Sequence, residues 1–231
     1  MLTVVERILA SALRQGATPE AAAWLARGQA QAGDSSLRPL LDAYARASLH
    51  AGRGSLPIGA AGLQQLREAA PGVGFERWTQ DDAARALLLM ARRTLAGAGQ
   101  PFVDAALACF EEGDAREQQS WLRALPLWPE AGPLLPHAIE ACRSNIIPVF
   151  ESLACENPYP AAHFPERNFN QMVLKALFNS IALSRVAGLP SRLNPELSRM
   201  ARDYAAERTA AGRTVPADIG MALHDLAQEP S

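Results

Sequence analysis

Apolar residues spaced three and four apart constrain this chain more than any other feature. Ala84, Leu87, Leu88, Ala91 and Leu95 share one stripe, and Phe102, Val103, Ala106, Leu107 and Phe110 share the next. Phe169, Met172, Val173, Ala176 and Leu177 repeat the pattern, as do Leu197, Met200, Ala201, Tyr204 and Ala205. Each stripe is one face of an amphipathic helix that needs a neighbour to cover it. The punctuation agrees. Thr18-Pro19-Glu20 and Asn194-Pro195-Glu196 set a capping residue before a proline at the first helical position. Thr79 with Asp82 reads as a helix start with acid in its first turn. Gly16, Gly33, Gly52, Gly97 and Gly113 fall where helices should stop. β-branched residues never gather into a strand-like run. The pattern predicts helices near 3–15, 19–32, 37–51, 59–70, 80–97, 101–112, 114–125, 131–144, 146–155, 168–187, 195–211 and 216–227. Pro39, Pro133, Pro136 and Pro148 would lie near helix starts, where a missing N–H costs little.

An all-α fold follows. Short connections predict that successive helices pack antiparallel. Residues 113–145 look like a HEAT-type hairpin, with Trp121 and Leu122 facing inward and Pro126 and Pro129 at the turn. No strict repeat period runs through the chain. The expected architecture is an irregular array of antiparallel helix pairs (HEAT-like, an α-solenoid or a right-handed superhelix), with a compact orthogonal bundle as the alternative. We read one all-α domain over 1–231: capping helices over the alanine-rich residues 1–75, then a helical region over 76–231 with a proline-rich loop at 156–167.

Charge and cysteine usage remove several function classes. Twenty-two basic and 24 acidic residues give a net charge of −2, so no whole-protein field attracts nucleic acid or an anionic membrane. Arg92-Arg93 reads as ordinary helix-surface charge. Cys109, Cys142 and Cys155 are scattered in apolar stretches and read as reduced core residues of a cytoplasmic protein. Glu6 and Arg7 interrupt the apolar pattern at the N-terminus, so it lacks the core of a signal peptide. No uncharged stretch is long enough to insert into a membrane.

Catalytic motifs do not surface. There is no HExxH, GxSxG or phosphate loop, and Gly72-Val73-Gly74 and Gly97-Ala98-Gly99 follow no plausible strand. His50, His137, His163 and His224 are scattered without ligand partners; His163 lies in a long loop and reads as packing or surface rather than acid/base chemistry. Trp24, Trp78, Trp121 and Trp128 read as core or helix-junction residues rather than binding platforms. Asp203 and Glu207 stand one helical turn apart, but Arg199 precedes Asp203 by the same spacing, which suits a surface ion pair equally well. Arg208 continues an apolar stripe and suits a half-buried partner or an anion.

One stretch stands out. Glu156-Asn157-Pro158-Tyr159-Pro160-Ala161-Ala162-His163-Phe164-Pro165 carries three prolines and two aromatics and cannot be helical throughout. Prolines stiffen such a loop and lower the entropy lost in ordering it. In the following Asn168–Phe178 stretch, Asn168, Gln171 and Lys175 share a face, while Asn170 leans toward the apolar stripe and needs partners.

The segments Glu156–Pro160, Phe164-Pro165, Phe169–Phe178, Arg199–Arg208 and Ala211–Pro216 resemble the EboA family of metabolite-traffic proteins over roughly residues 150–220. The resemblance implies a bacterial cytoplasmic protein encoded beside secondary-metabolite genes. The usual neighbours include a UbiA-like membrane prenyltransferase, a TatD-like hydrolase, a dehydroquinate-synthase-like protein and a sugar-isomerase-like barrel. It brings no established catalytic residues and no cofactor. The expectation is a non-enzymatic helical adaptor or metabolite-binding component that assists biosynthesis, delivery or export of a secondary-metabolite precursor. Its partners would be a small-molecule metabolite or pathway proteins, with Asn157, Tyr159, His163, Asn170, Lys175, Asp203, Glu207 and Arg208 as the binding set. The alternative is a small-molecule-modifying enzyme of the same pathway, using Asp203 and Glu207 with Lys175 and Arg208.

Overall fold

A computed structural model describes residues 1–224. Among them the chain forms twelve α-helices and five short 3-10 turns, and its only β pairing is an isolated antiparallel bridge between Ser55 and Thr79. It divides into two compact units, Met1–Leu153 and Ala154–Ser231. The all-α class holds.

The first unit contains α1 (Leu2–Gly16), α2 (Pro19–Gln31), α3 (Arg38–His50), α4 (Ala60–Ala69), α5 (Gln80–Leu95), α6 (Gln100–Glu111), α7 (Ala115–Ala124), α8 (Ala131–Ala141) and all but the last residue of α9 (Ile147–Ala154). Helix α5 lies at the centre and packs against α1, α2, α3, α6 and α7. Nearest-neighbour stacking, the rule of a solenoid, does not describe this unit, because one helix serves five others. Consistent with that position, every residue of α5 from Asp81 to Arg92 is buried. Trp121 of α7 is fully enclosed, with its indole N–H donating to the Ala106 carbonyl at 2.7 Å. Pro136 sits inside α8 rather than near its start, unlike the expected placement. Cys109 is buried and unbridged, and burial pushes its thiol pKa well up.

A helix buried all round would ordinarily be apolar all round, yet α5 carries two aspartates and two arginines into the interior. They are paired. The Asp81 carboxylate accepts from Ser48 Oγ (2.8 Å), Thr79 Oγ1 (2.7 Å), Arg85 Nη1 (2.9 Å), and Arg116 Nε (2.8 Å) and Nη2 (2.7 Å). Asp82 accepts from the Thr79 N–H (3.0 Å), Ser120 Oγ (2.6 Å) and Arg123 Nη1 (2.6 Å). Burial alone would raise the Asp81 pKa; the hydrogen bonds from Arg116, Thr79 and Ser48 and the charge of Arg116 outweigh it and hold the carboxyl well below its ordinary range. Arg85 also donates to the Tyr44 carbonyl at 3.0 Å, joining α3, α5 and α7 at one point. Arg92 is a correction to the surface reading: it is buried, and its guanidinium donates to the Ala32 and Asp34 carbonyls at the end of α2 (3.1 and 2.8 Å).

The second unit contains α10 (Tyr159–His163), α11 (Glu166–Phe178) and α12 (Pro195–Ala210), with 3-10 turns at Leu183–Arg185, Leu189–Arg192 and Ile219–Ala222. Helix α11 stops nine residues short of the expected 187. The Ser180 N–H bonds the Leu177 carbonyl and the Ile181 N–H bonds the Ala176 carbonyl, the crossed pair that closes a helix. Ser180 takes φ +58, the left-handed conformation for which glycine is usual. The helix expected over 216–227 is a turn with the Ile219–Ala222 3-10 segment, and its residues 225–227 lie outside the described residues.

Candidate functional site

The proline-rich segment folds as a one-turn helix rather than an open loop. Asn157, itself buried, accepts the Tyr159 N–H on its side-chain oxygen at 3.0 Å, an Asx-type start for α10. Just before it, Glu156 adopts φ +47 and is clamped by Arg185 through two side-chain bonds of 2.8 and 3.1 Å. At the other end, Arg192 donates to the carbonyls of Ala161 (2.6 Å) and Phe164 (2.8 Å), with its guanidinium 4.7 Å from the Phe169 ring centre. A cation at a helix C-terminus satisfies its orphan carbonyls and opposes the local dipole.

Asn170 finds the partner its position demands. It and Asn194 exchange reciprocal amide hydrogen bonds of 3.1 and 3.0 Å. The same Asn194 side chain caps α12 by accepting the Leu197 N–H at 2.8 Å, so one amide locks α11 to the start of α12.

Beyond these contacts, the end of α11 and the segment after α12 enclose a groove of about 410 Å³. Leu177, Ile181, Val215 and Pro216 supply apolar wall; Ser180, Thr214, Arg208 and Asp218 supply the polar groups. Arg208 is held by two hydrogen bonds to the Thr214 carbonyl, at 3.0 and 2.8 Å, and forms no ion pair with a carboxylate among the described residues. Asp218 accepts the Leu183 N–H at 2.6 Å. An arginine and an aspartate on apolar walls suit a small polar or zwitterionic molecule.

The expected binding set does not gather into one place. Asn157, Tyr159 and Asn170 are buried and hold the fold; burial pushes the Tyr159 hydroxyl pKa up. His163 is exposed, with its ring 4.7 Å from that of Tyr159. Lys175 is half-buried in α11 and already engaged. Asp203 is exposed and pairs with Arg199 at 2.6 Å, and Glu207 is exposed on the same helix. Only Arg208 of the set lines the groove. Sequence reasoning missed Ser180, Asp218, Arg185 and Arg192. Ser180 carried no glycine signal, and the partners of the two arginines lie far along the chain.

Among the described residues no cluster of three or more His, Cys, Asp or Glu side chains could hold a metal ion, and no helix is long and apolar enough to cross a membrane. The fold and the groove define an all-α scaffold with a small-molecule-sized cleft. More particularly, the chain belongs to the EboA family: the family model described as "Metabolite traffic protein EboA" matches residues 5–224, nearly its whole length. No curated protein and no solved structure matches it.

Proposed function

We propose that this chain is a non-enzymatic binding component of metabolite traffic, holding a small polar precursor in the groove beside Arg208. The observation that carries the reading is Arg208 itself: a guanidinium fixed by the Thr214 carbonyl, without a carboxylate partner among the described residues, on an otherwise largely apolar wall. A positioned cation of this kind recognises carboxylate or phosphate oxygens. What favours binding over catalysis is the use already made of the acids. Asp81 is locked into an arginine cluster, and Asp203 forms a solvated pair with Arg199. Neither lines the groove. As the family resemblance implies, the work would be cytoplasmic, with a pathway protein such as a UbiA-like membrane prenyltransferase receiving the cargo.

Native mass spectrometry of the purified chain tests this. The wild type should retain a small molecule, or take one up from pathway intermediates. Arg208→Gln should lose it, while Arg208→Lys retains part of the binding and Asp203→Asn retains all of it. Unchanged occupancy in Arg208→Gln, with its helicity intact by circular dichroism, would sink the assignment.

A further inference from the structure

The first unit holds a second groove, of about 580 Å³, between α2 and α3. That volume lies within the range of about 300–1,000 Å³ usual for small-molecule sites. Gly28 is among its lining residues. A Cβ on Gly28 would sit 3.3 Å from the Ala43 Cβ on α3 and 2.8 Å from Leu88 Cδ2 on α5, so α2 packs tightly on both helices here. Arg27 on α2 and Arg46 on α3 both line the groove. One turn back from Arg27 lies Trp24, and one turn on from Arg46 lies His50; their rings stack with centres 4.9 Å apart and planes 17° apart. The two cations and the stacked rings thus line the same groove.

Charge sharpens the picture. Among the described residues, Arg27, Arg38 and Arg46 line the groove against the single acid Asp42, an excess of two positive charges on a chain whose net charge is −2. Asp42 lies 3.4 Å from Arg38. Arg27 and Arg46 are exposed, and neither forms a hydrogen bond or ion pair among the described residues. Two guanidiniums facing one space repel each other and attract an anion between them. The ring of His50, half-exposed above Trp24, offers a flat face to the apolar part of the same ligand.

We propose that this groove is a binding site for a small aromatic anion, an aryl carboxylate or aryl phosphate, with the anionic group between Arg27 and Arg46 and the ring on His50. The site is independent of the groove beside Arg208, and either assignment can fail without the other.

Phenyl phosphate is a suitable probe, titrated into the full chain and followed by amide chemical shifts, with benzyl alcohol and inorganic phosphate as comparisons. Phenyl phosphate should shift amides of α2 and α3 saturably, in the millimolar range or tighter. The Arg27→Gln/Arg46→Gln double variant should bind it at least about tenfold more weakly. Neither arginine has a partner to lose among the described residues, so that variant should fold as the wild type does. Arg27→Lys/Arg46→Lys keeps the charge and should recover part of the affinity. Arg208→Gln should leave these shifts unchanged. Equal binding of benzyl alcohol would remove the anion from the proposal, and equal binding of inorganic phosphate would remove the ring. An absence of saturable shifts in α2 and α3, or an unaltered affinity in the double glutamine variant, would overturn it outright.

Discussion

Replacing Asp81 with asparagine tests the central claim about the first unit, that a paired charge cluster holds α5 to α3 and α7. The substitution keeps the volume and removes one charge. Arg85 is 1% exposed and cannot turn to water, so its guanidinium would be left without an ionised partner. Stranding a buried charge in this way costs about 3–5 kcal/mol. Arg116 also loses its carboxylate, but it is one-quarter exposed and can rehydrate, which adds about 1 kcal/mol or less. The sum is roughly 4 kcal/mol, a large fraction of the 5–15 kcal/mol by which domains are ordinarily stable. Tryptophan fluorescence during urea unfolding is the right assay, because Trp24, Trp78, Trp121 and Trp128 all lie in the first unit. Adding Arg85→Met removes the stranded charge, so the double variant should be more stable than the sum of the single effects predicts, by about 2 kcal/mol. Asp203→Asn should leave the transition where it was. A loss below about 1 kcal/mol in Asp81→Asn would refute the reasoning, since Arg85 would then not depend on that carboxylate.

Three further outcomes follow from the same contacts. The depressed pKa of Asp81 means its stabilisation is complete above the unfolded-state pKa of about 4 and is lost as pH falls through the lower folded-state value. Wild-type stability by tryptophan fluorescence should therefore drop more steeply than that of Asp81→Asn below about pH 4, and parallel slopes would contradict the assignment. Ser180→Gly should stabilise the end of α11 by about 0.5–1 kcal/mol, because glycine adopts positive φ without the strain serine carries there; a lower melting temperature would rule this out. Asn194→Ala removes a helix cap worth about 1–2 kcal/mol and orphans the buried Asn170 amide at a further 1–3 kcal/mol or so. Hydrogen exchange at the Leu197 amide should quicken accordingly, and Asn194→Ser should restore only the cap's share.

Much of the helical layout was legible because it is local. Caps and stripes placed α2 at 19–32 against the observed Pro19–Gln31, and α12 at 195–211 against Pro195–Ala210. Where a boundary depends on a residue acting out of type, the pattern fails. Ser180 ends α11 in a conformation that the sequence advertises only through glycine or asparagine, and Asn157 starts a helical turn inside a segment whose prolines speak against one. The buried charges are a different case, because their signal was present. Asp81 precedes Ala84 by three residues, so it lies on the same stripe as Ala84, Leu88 and Ala91, and Arg85 follows Asp81 by one turn. A carboxylate on an apolar stripe needs a cation. That Arg116 on α7 also supplies one to Asp81, and Arg123 one to Asp82, could not be read locally, because those partners come from 35 and 41 residues away.

Of the 22 basic residues, Lys175 is the only lysine, and the chain's other cations are arginines. That choice connects the scaffold to the candidate sites. An alanine-rich helical fold leaves many carbonyls unpaired where helices end, and a guanidinium with five fixed donors can satisfy several of them while keeping its charge. Arg92 does so at the end of α2, and Arg192 does so at the end of α10. Arg85 adds a carbonyl of α3 to its aspartate. In each case the protein's own acceptors engage the guanidinium, which marks these arginines as structural. Among the described residues Arg27 and Arg46 have no such partner, and Arg208 spends two donors on one carbonyl without meeting a carboxylate. The same residue type therefore divides by what surrounds it: where the protein consumes the donors it fixes the fold, and where positive charge is left over in a groove it can meet a ligand's anion.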